Sequence, residues 1–398
     1  MQIVRWSRAS LVFGLVLGIA GTLIVQRGIP EADAGKNKKG PLERKDFHQT
    51  LDVVLDRYVE PVDTPEVMAR GLKHMVSGLD PYSHYLTADE RARAQKLQHQ
   101  GAEAGLVTSL RHKPQGSELE IVGVLPDSPA EQLGLAAGDR ILEIRGQSCE
   151  HMLSNVEAQL LLGGAPGERI ELLLERGAGP ERVELELAKP NVAALVSSEM
   201  IEQSGHAIGK IEIRSFRPGT GELVKQALAE LRRSAGKRGL AGVILDVRGN
   251  PGGEVQEAVL VADLFIEEGV LTRTRGRGGV ILREELATAA GTDVETPLVV
   301  LQDRRSASAA ELLAVALQDN GRARVIGERS FGKGTVQEVI GIADGSLLTL
   351  TVARYFSPGD RAIDGRGVEP DVVLSRPVGE AALTAAAREL ASMIADTR

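Results

Sequence analysis

Between residues 43 and 100 the apolar positions follow a helical rhythm. Leu51, Val54, Leu55 and Tyr58 recur at three- and four-residue intervals, and Val67, Leu72 and Met75 continue the pattern in a second amphipathic helix. Leu79-Asp-Pro-Tyr-Ser83 interrupts it as a turn, and residues 90–100 predict a charged helix. From 101 to 190 the rhythm changes. Residues 118–125 predict a strand, and a short helix starts at Ser128 and ends at Gly134. A strand over 140–144, a helix over 154–162, a Gly-Pro-Gly-rich turn and a strand over 169–175 follow. Beyond 191, strands and helices alternate. Strands are predicted at 208–213, 243–246, 298–301, 325–326, 336–340 and 347–352, and helices at 222–234, 255–266 and 380–395. The fold class is α/β and α+β multidomain: a helical arm (43–100), a β-rich domain (101–190) and an α/β core (191–398).

The N-terminus has a different pattern. Arg5 and Arg8 precede an apolar run at 11–25, and a polar linker (28–42) follows. The run suits a membrane anchor or the central segment of a signal peptide, with Ala32-Asp-Ala34 as a distant small-x-small site. An uncleaved anchor within residues 1–27 is the preferred reading. With the arginines inside, the rest of the chain is expected outside the cytoplasmic membrane.

Composition narrows the classes. At 398 residues the chain accommodates two or three domains. A net charge of −8 argues against a nucleic-acid partner, and the basic clusters at 35–40 and 273–277 are expected to be solvated loops. The one cysteine, Cys149, cannot form an internal disulfide. No Cys/His cluster has metal-ligand spacing, so no metal or organic cofactor is implied.

Candidate chemistry lies in the core. Ser306 and Ser308 follow the apolar run 297–301 and precede an Ala/Leu-rich helix. A serine there sits where backbone N–H groups face developing negative charge. Every histidine lies at or before position 206, so a base for this serine must be something else. Lys333, between Gly332 and Gly334, fills the role if burial lowers its pKa. Gly252 and Gly253, after the strand at 243–246, suit an oxyanion hole. The segment 327–335 nearly matches a phosphate-binding loop. However, Gly334 replaces the magnesium-binding Ser/Thr, and the β-branched stretch that follows predicts a strand where such a loop opens a helix.

Residues 118–146, with Ser128-Pro-Ala130, Gly134-Leu135 and Gly138-Asp139, resemble a PDZ domain. That resemblance implies a peptide-carboxylate loop at Gly105, Leu106, Val107 and Thr108. The ordered set Leu79-Asp-Pro-Tyr-Ser83, the PDZ-like segment, Leu245-Asp-Val-Arg-Gly-Asn-Pro-Gly-Gly253, Ser306-Ala-Ser-Ala-Ala-Glu311, Gly332-Lys-Gly-Thr-Val-Gln337 and Arg354-Tyr-Phe-Ser-Pro-Gly359 resembles the carboxyl-terminal processing peptidases over about residues 43–375. The resemblance implies a serine endopeptidase with nucleophile Ser308, base Lys333 and Gln337 positioning that lysine. Backbone N–H groups near Gly252, Gly253 and Ala309 are implied as the oxyanion hole. It further implies protein or peptide substrates with exposed C-termini, an adaptor or activating peptide in some cases, and homo-oligomers through the N-terminal helices. Ala310, Asp303 and Gly163 depart from the usual pattern, the last where a basic residue is frequent. The alternative is a non-catalytic PDZ scaffold. Gln337, four residues beyond Lys333 on an expected strand, is predicted to share its face.

Overall fold

The computed structural model describes residues 41–177, 179–289, 292–375, 377 and 379–396. The expected anchor (1–27) and most of the linker (28–42) lie outside the described residues. Among the described residues no helix is long and apolar enough to cross a membrane.

Two compact units divide between Thr64 and Pro65. In the first, helix α1 (Arg44–Arg57) starts at Glu43, whose N–H donates to Asp46 Oδ2 at 2.8 Å. None of its residues is buried, and Phe47, Val53 and Val54 are exposed.

The second unit opens with α2 (Thr64–Ser77), strand β1 (His84–Leu86) and α3 (Ala88–Gln100). Thr87 and Glu90 form a reciprocal capping box at α3, which explains why the helix starts two residues before its predicted position. Lys73 of α2 pairs with Glu90 at 2.5 Å.

The β-rich domain contains β2 (Ala102–Glu103), β3 (Leu106–Lys113), β4 (Gly116–Val124), α4 (Pro129–Gln132), β5 (Arg140–Ile144), β6 (Gln147–Ser148), α5 (Asn155–Leu162), β7 (Gly163–Gly164), β8 (Arg169–Arg176) and β9 (Gly179–Glu186). Strands β3-β4-β5-β8-β9 form an antiparallel sheet in that order. Ile121, Ile141, Ile144, Leu172 and Leu174 fill its core, with α5 against it. Cys149 is buried there, and desolvation pushes its thiol up to about 12, so it is inert. Lys73 also reaches Glu157 of α5, at 3.5 Å, joining α2 to this domain.

The α/β core runs β10 (Val196–Gln203), β11 (His206–Ile213), α6 (Thr220–Ala235), β12 (Gly242–Asp246), α7 (Val255–Asp263), β13 (Val270–Gly276), β14 (Ile281–Leu286), β15 (Leu298–Gln302), α8 (Ala309–Asp319), β16 (Arg324–Gly327), β17 (Thr335–Gly341), β18 (Leu347–Phe356), β19 (Val372–Val373) and α9 (Gly379–Asp396). The main sheet has the order β10-β11-β12-β15-β16-β19 and is parallel from β11 onward. Strands β12 and β15 are buried along their whole length, because helices cover both faces. Val243, Leu245, Leu298 and Val300 point to α6, α7 and α8. Ile244, Val299 and Leu301 point to α9. A second sheet, β1-β18-β13-β14 with β17 on β18, stands beside it.

Two expectations are corrected. Residues 273–277 do not form a solvated loop: residues 273–276 end strand β13. Their charge is matched by carboxylates, since Arg273 Nε donates to Glu284 Oε1 at 2.6 Å and Arg275 pairs with Asp360. Helix α7 ends at Asp263 rather than 266. There, N–H groups of Leu264 and Phe265 turn to Val261 and Ala262, three residues back, and tighten the last turn.

Candidate active site

Strands β12, β15 and β16 are neighbours and parallel, so their C-terminal ends deliver three loops to one edge of the sheet. This edge is where open α/β sheets place their sites. The first loop carries Gly252 and Gly253, the second Ser306 and Ser308, and the third Lys333.

Ser308 stands at the start of α8 with φ 54° and ψ −115°. A non-glycine residue held there costs about 1–3 kcal/mol, which the surrounding bonds must offset. Ser306 is different. Its hydroxyl donates to Val247 O at 2.8 Å and accepts the Asp303 N–H at 3.0 Å, and it is fully buried. Ser306 therefore fastens the loop and has no freedom to attack a substrate. Asp303, another departure from the family pattern, accepts the N–H groups of Gly249 and Arg305.

The glycine loop is built around Asn250, whose part the sequence did not reveal. Its Nδ2 donates to Ile213 O at 2.8 Å, and its carbonyl accepts the Ala307 N–H at 2.9 Å. Its Oδ1 accepts the Gly252 N–H at 2.8 Å. Gly252, expected in the oxyanion hole, has its N–H engaged by Asn250 in this structure. Its place is explained by close approach: a Cβ there would stand 2.7 Å from Ser308 Cβ and 3.0 Å from Ala309 N. The N–H groups of Gly253 and Ala309 have no acceptor among the described residues. At Gly253, φ is 138° and a Cβ would meet Phe216 O at 1.9 Å.

Lys333 is half-buried, and desolvation pushes its amine below the ordinary lysine value, while the Glu311 carboxylate opposes that shift. No hydrogen bond joins it to Ser308. Its Nζ lies 4.8 Å from the centroid of the Tyr82 ring. Its flanking glycines permit close packing: a Cβ at Gly334 would meet Asp364 N at 2.4 Å. A strand, β17, follows the loop, as the rejection of a phosphate-binding loop predicts.

The expected facing of Gln337 and Lys333 is corrected. Lys333 precedes β17 and lies in the loop, so strand alternation does not reach it. A register shift between Val336 and Gln337 alters the pattern further. Gln337 Nε2 donates instead to Thr335 Oγ1 at 2.8 Å and Thr351 Oγ1 at 3.2 Å.

Glu311 ties the loops together. It is fully buried on the first turn of α8. Oε2 accepts the N–H groups of Ser308 and Lys333, each at 2.8 Å. Oε1 accepts the Gly332 N–H at 2.6 Å and the Ser330 hydroxyl at 2.5 Å. Burial pushes its carboxyl up, and these four donors oppose the shift.

The β-rich domain contributes a groove. Gly105, at φ 77°, packs so tightly on Ser128 that a Cβ would stand 2.1 Å from the serine Cβ. Leu106, Val107 and Thr108 open β3, and Thr108 Oγ1 donates to Asn155 Oδ1 of α5 at 2.9 Å. A cleft of about 640 Å³ runs from Leu106, Val107 and Gln159 to Gly252 and Gly253. A larger cleft, about 780 Å³, lies against Arg248 and Asp303 and includes neither Ser308 nor Lys333.

Comparison with known proteins agrees with this layout. The model of peptidase family S41 matches residues 207–374, and a PDZ-domain model matches residues 120–176. The chain is 31% identical to the carboxy-terminal-processing protease of Bartonella bacilliformis, over 84% of this chain and 75% of that protein. It is 32% identical to the carboxyl-terminal-processing protease of Synechocystis sp., over 83% of this chain and 77% of that one. The chain belongs to the carboxyl-terminal processing proteases of peptidase family S41. It is a serine-type peptidase, with a PDZ domain ahead of its protease core. The structure of the photosystem II D1 C-terminal processing protease superposes with a TM-score of 0.69 at 28% identity, covering 86% of this protease and 90% of that chain. The non-catalytic alternative gains no support from these relatives.

Glu311→Ala in this protease leaves three backbone N–H groups and a hydroxyl without their buried acceptor. Unsatisfied donors cost about 1–3 kcal/mol each, so the variant is expected to lose roughly 3 kcal/mol or more of stability in urea unfolding. Loss below 1 kcal/mol would show that the carboxylate does not hold these loops.

Proposed function

We propose that this protease cleaves protein substrates near their C-termini with a Ser308–Lys333 dyad. The observation that carries the reading is the pairing of a strained serine at a helix start with a half-buried lysine in the loop after the adjacent strand, both anchored to Glu311 through their backbone N–H groups. Ser308 Oγ attacks the scissile carbonyl. Neutral Lys333 takes its proton and later returns one to the leaving amine. The uncommitted N–H groups of Gly253 and Ala309 receive the oxyanion, assisted by the N-terminus of α8. Lys333 rests on Tyr82, so it moves onto Ser308 as substrate binds; catalytic hydrogen bonds are often absent until then.

The PDZ groove at Gly105–Thr108 holds the substrate's terminal carboxylate and extends its chain along β3. The cleft that joins this groove to Gly253 supports one continuous path for the peptide. The apolar run at 11–25 supports an extracytoplasmic enzyme anchored in the cytoplasmic membrane. The exposed apolar residues of α1 support its use in self-association.

A peptide with a free C-terminus is expected to be cleaved faster than its amidated twin. Ser308→Ala and Lys333→Ala each abolish cleavage while remaining folded, and Ser306→Ala keeps the nucleophile. Because the amine pKa is lowered in the folded enzyme, acylation rises with pH through one ionisation below the ordinary lysine value. Activity in folded Ser308→Ala, or a rate that climbs only at the ordinary lysine pKa, would refute the dyad.

A reporter fused after residue 398 is expected to be active only outside the cytoplasm, and cytoplasmic activity would refute the proposed location.

A further inference from the structure

We propose that Tyr82 is the positioning residue for Lys333, and that Gln337 acts on the lysine through it. This rests on the dyad reading. The family motif leads one to expect a glutamine bonded to the lysine, yet Gln337 spends its amide on Thr335 and Thr351. The group beneath the Lys333 amine is the face of Tyr82, 4.8 Å from Nζ to the ring centroid. An ammonium over an aromatic face is attracted by the ring's negative centre. The Tyr82 hydroxyl has no hydrogen-bond partner among the described residues, so nothing competes for its orientation except the backbone that carries it.

That backbone is fixed by Asp80. Asp80 Oδ1 accepts the N–H groups of Tyr82 and Ser83, each at 2.8 Å, and Oδ2 accepts the Ser83 hydroxyl at 2.7 Å. Thr351 Oγ1 donates to Asp80 Oδ1 at 3.1 Å, and the Thr351 N–H donates to Ser83 Oγ at 3.0 Å. Gln337 Nε2 completes the chain at Thr351 Oγ1. The route is therefore Gln337, Thr351, Asp80, the turn, and the Tyr82 ring. Strand β1 pairs with β18 directly after the turn and fixes it to the protease sheet.

The charged surroundings are consistent with this position. Burial pushes the Tyr82 phenol up, and Asp364, Glu311 and Asp80 act in the same direction, so Tyr82 stays neutral. Glu311 reaches Lys333 from α8. Asp364 lies beside Gly334 and is paired with Arg354 of β18 at 2.9 Å. Burial pushes the Asp80 carboxyl up, but the bonds from Ser83, Tyr82 and Thr351 outweigh it and hold Asp80 ionised.

The test is a variant series on the full chain, with folding checked by thermal melting. Tyr82→Leu keeps bulk and dryness but loses the ring face. We expect kcat to fall by about tenfold with KM within about twofold, as for loss of orientation. The pH midpoint of acylation should move down, because the ammonium loses its attraction to the ring. Tyr82→Phe keeps the face and should lose less than about threefold. Gln337→Ala added to Tyr82→Leu should cost little beyond Tyr82→Leu alone, since coupled residues are not additive.

A readout independent of catalysis is the pH dependence of Lys333 acetylation by acetic anhydride, followed by peptide mass spectrometry. Its midpoint should also be lower in Tyr82→Leu and unchanged in Tyr82→Phe. If Tyr82→Leu leaves kcat, pH profile and acetylation midpoint as in the wild type, or if Tyr82→Phe is as damaging, the positioning role is wrong while the dyad stands. If Lys333→Ala is active, the dyad itself is wrong, and the acetylation series still reports whether Tyr82 holds the amine.

Discussion

One buried carboxylate sets the geometry of the candidate site. Ionised carboxylates are costly to bury, by several kcal/mol after relaxation, unless donors surround them. Glu311 receives four, from both sides of the site. Hydrogen bonds to a charged group contribute about 1.5–3 kcal/mol each, so the set opposes the burial that pushes this carboxyl up. The result is a joint between the helix that starts at Ser308 and the loop that carries Lys333. Neither loop can shift far without stranding donors. The strained φ of Ser308 and the glycines flanking Lys333 are understandable as the local terms this joint demands.

The buried joint also shapes the electrostatics of the base. Desolvation lowers the lysine pKa and makes a neutral amine accessible, while the nearby Glu311 charge opposes it. The amine lies over the face of Tyr82, which attracts its ammonium form. Holding the lysine on a ring and releasing it to the serine needs only a side-chain movement, because the backbone on both sides is fixed.

Much of the fold was legible because its periodicities are strong. The buried strands at 242–246 and 298–302, the helix ending at Leu162 and the final helix all follow from apolar spacing alone. The hairpin β13–β14 was missed because its strands carry paired arginines and glutamates, which read as a solvated loop. The site was legible in its motif residues but not in its bonds. Spacing does not tell that Asn250 uses up the Gly252 N–H, or that Glu311 faces inward from the otherwise apolar first turns of α8. Gln337 was misplaced because a two-residue period was extended into a loop and across a bulge. Tyr82 lies about 250 residues from Lys333 in sequence, and contacts at that separation leave no local pattern.

The most direct test of the central claim is covalent labelling of the full-length enzyme with a serine-reactive fluorophosphonate, located by peptide mass spectrometry at a series of pH values. The dyad account predicts a label on Ser308 alone, formed at a rate that rises with pH through an ionisation below the ordinary lysine value and lost in Lys333→Met. A label on Ser306 or another residue, or labelling of Ser308 at the wild-type rate in folded Lys333→Met, would contradict it.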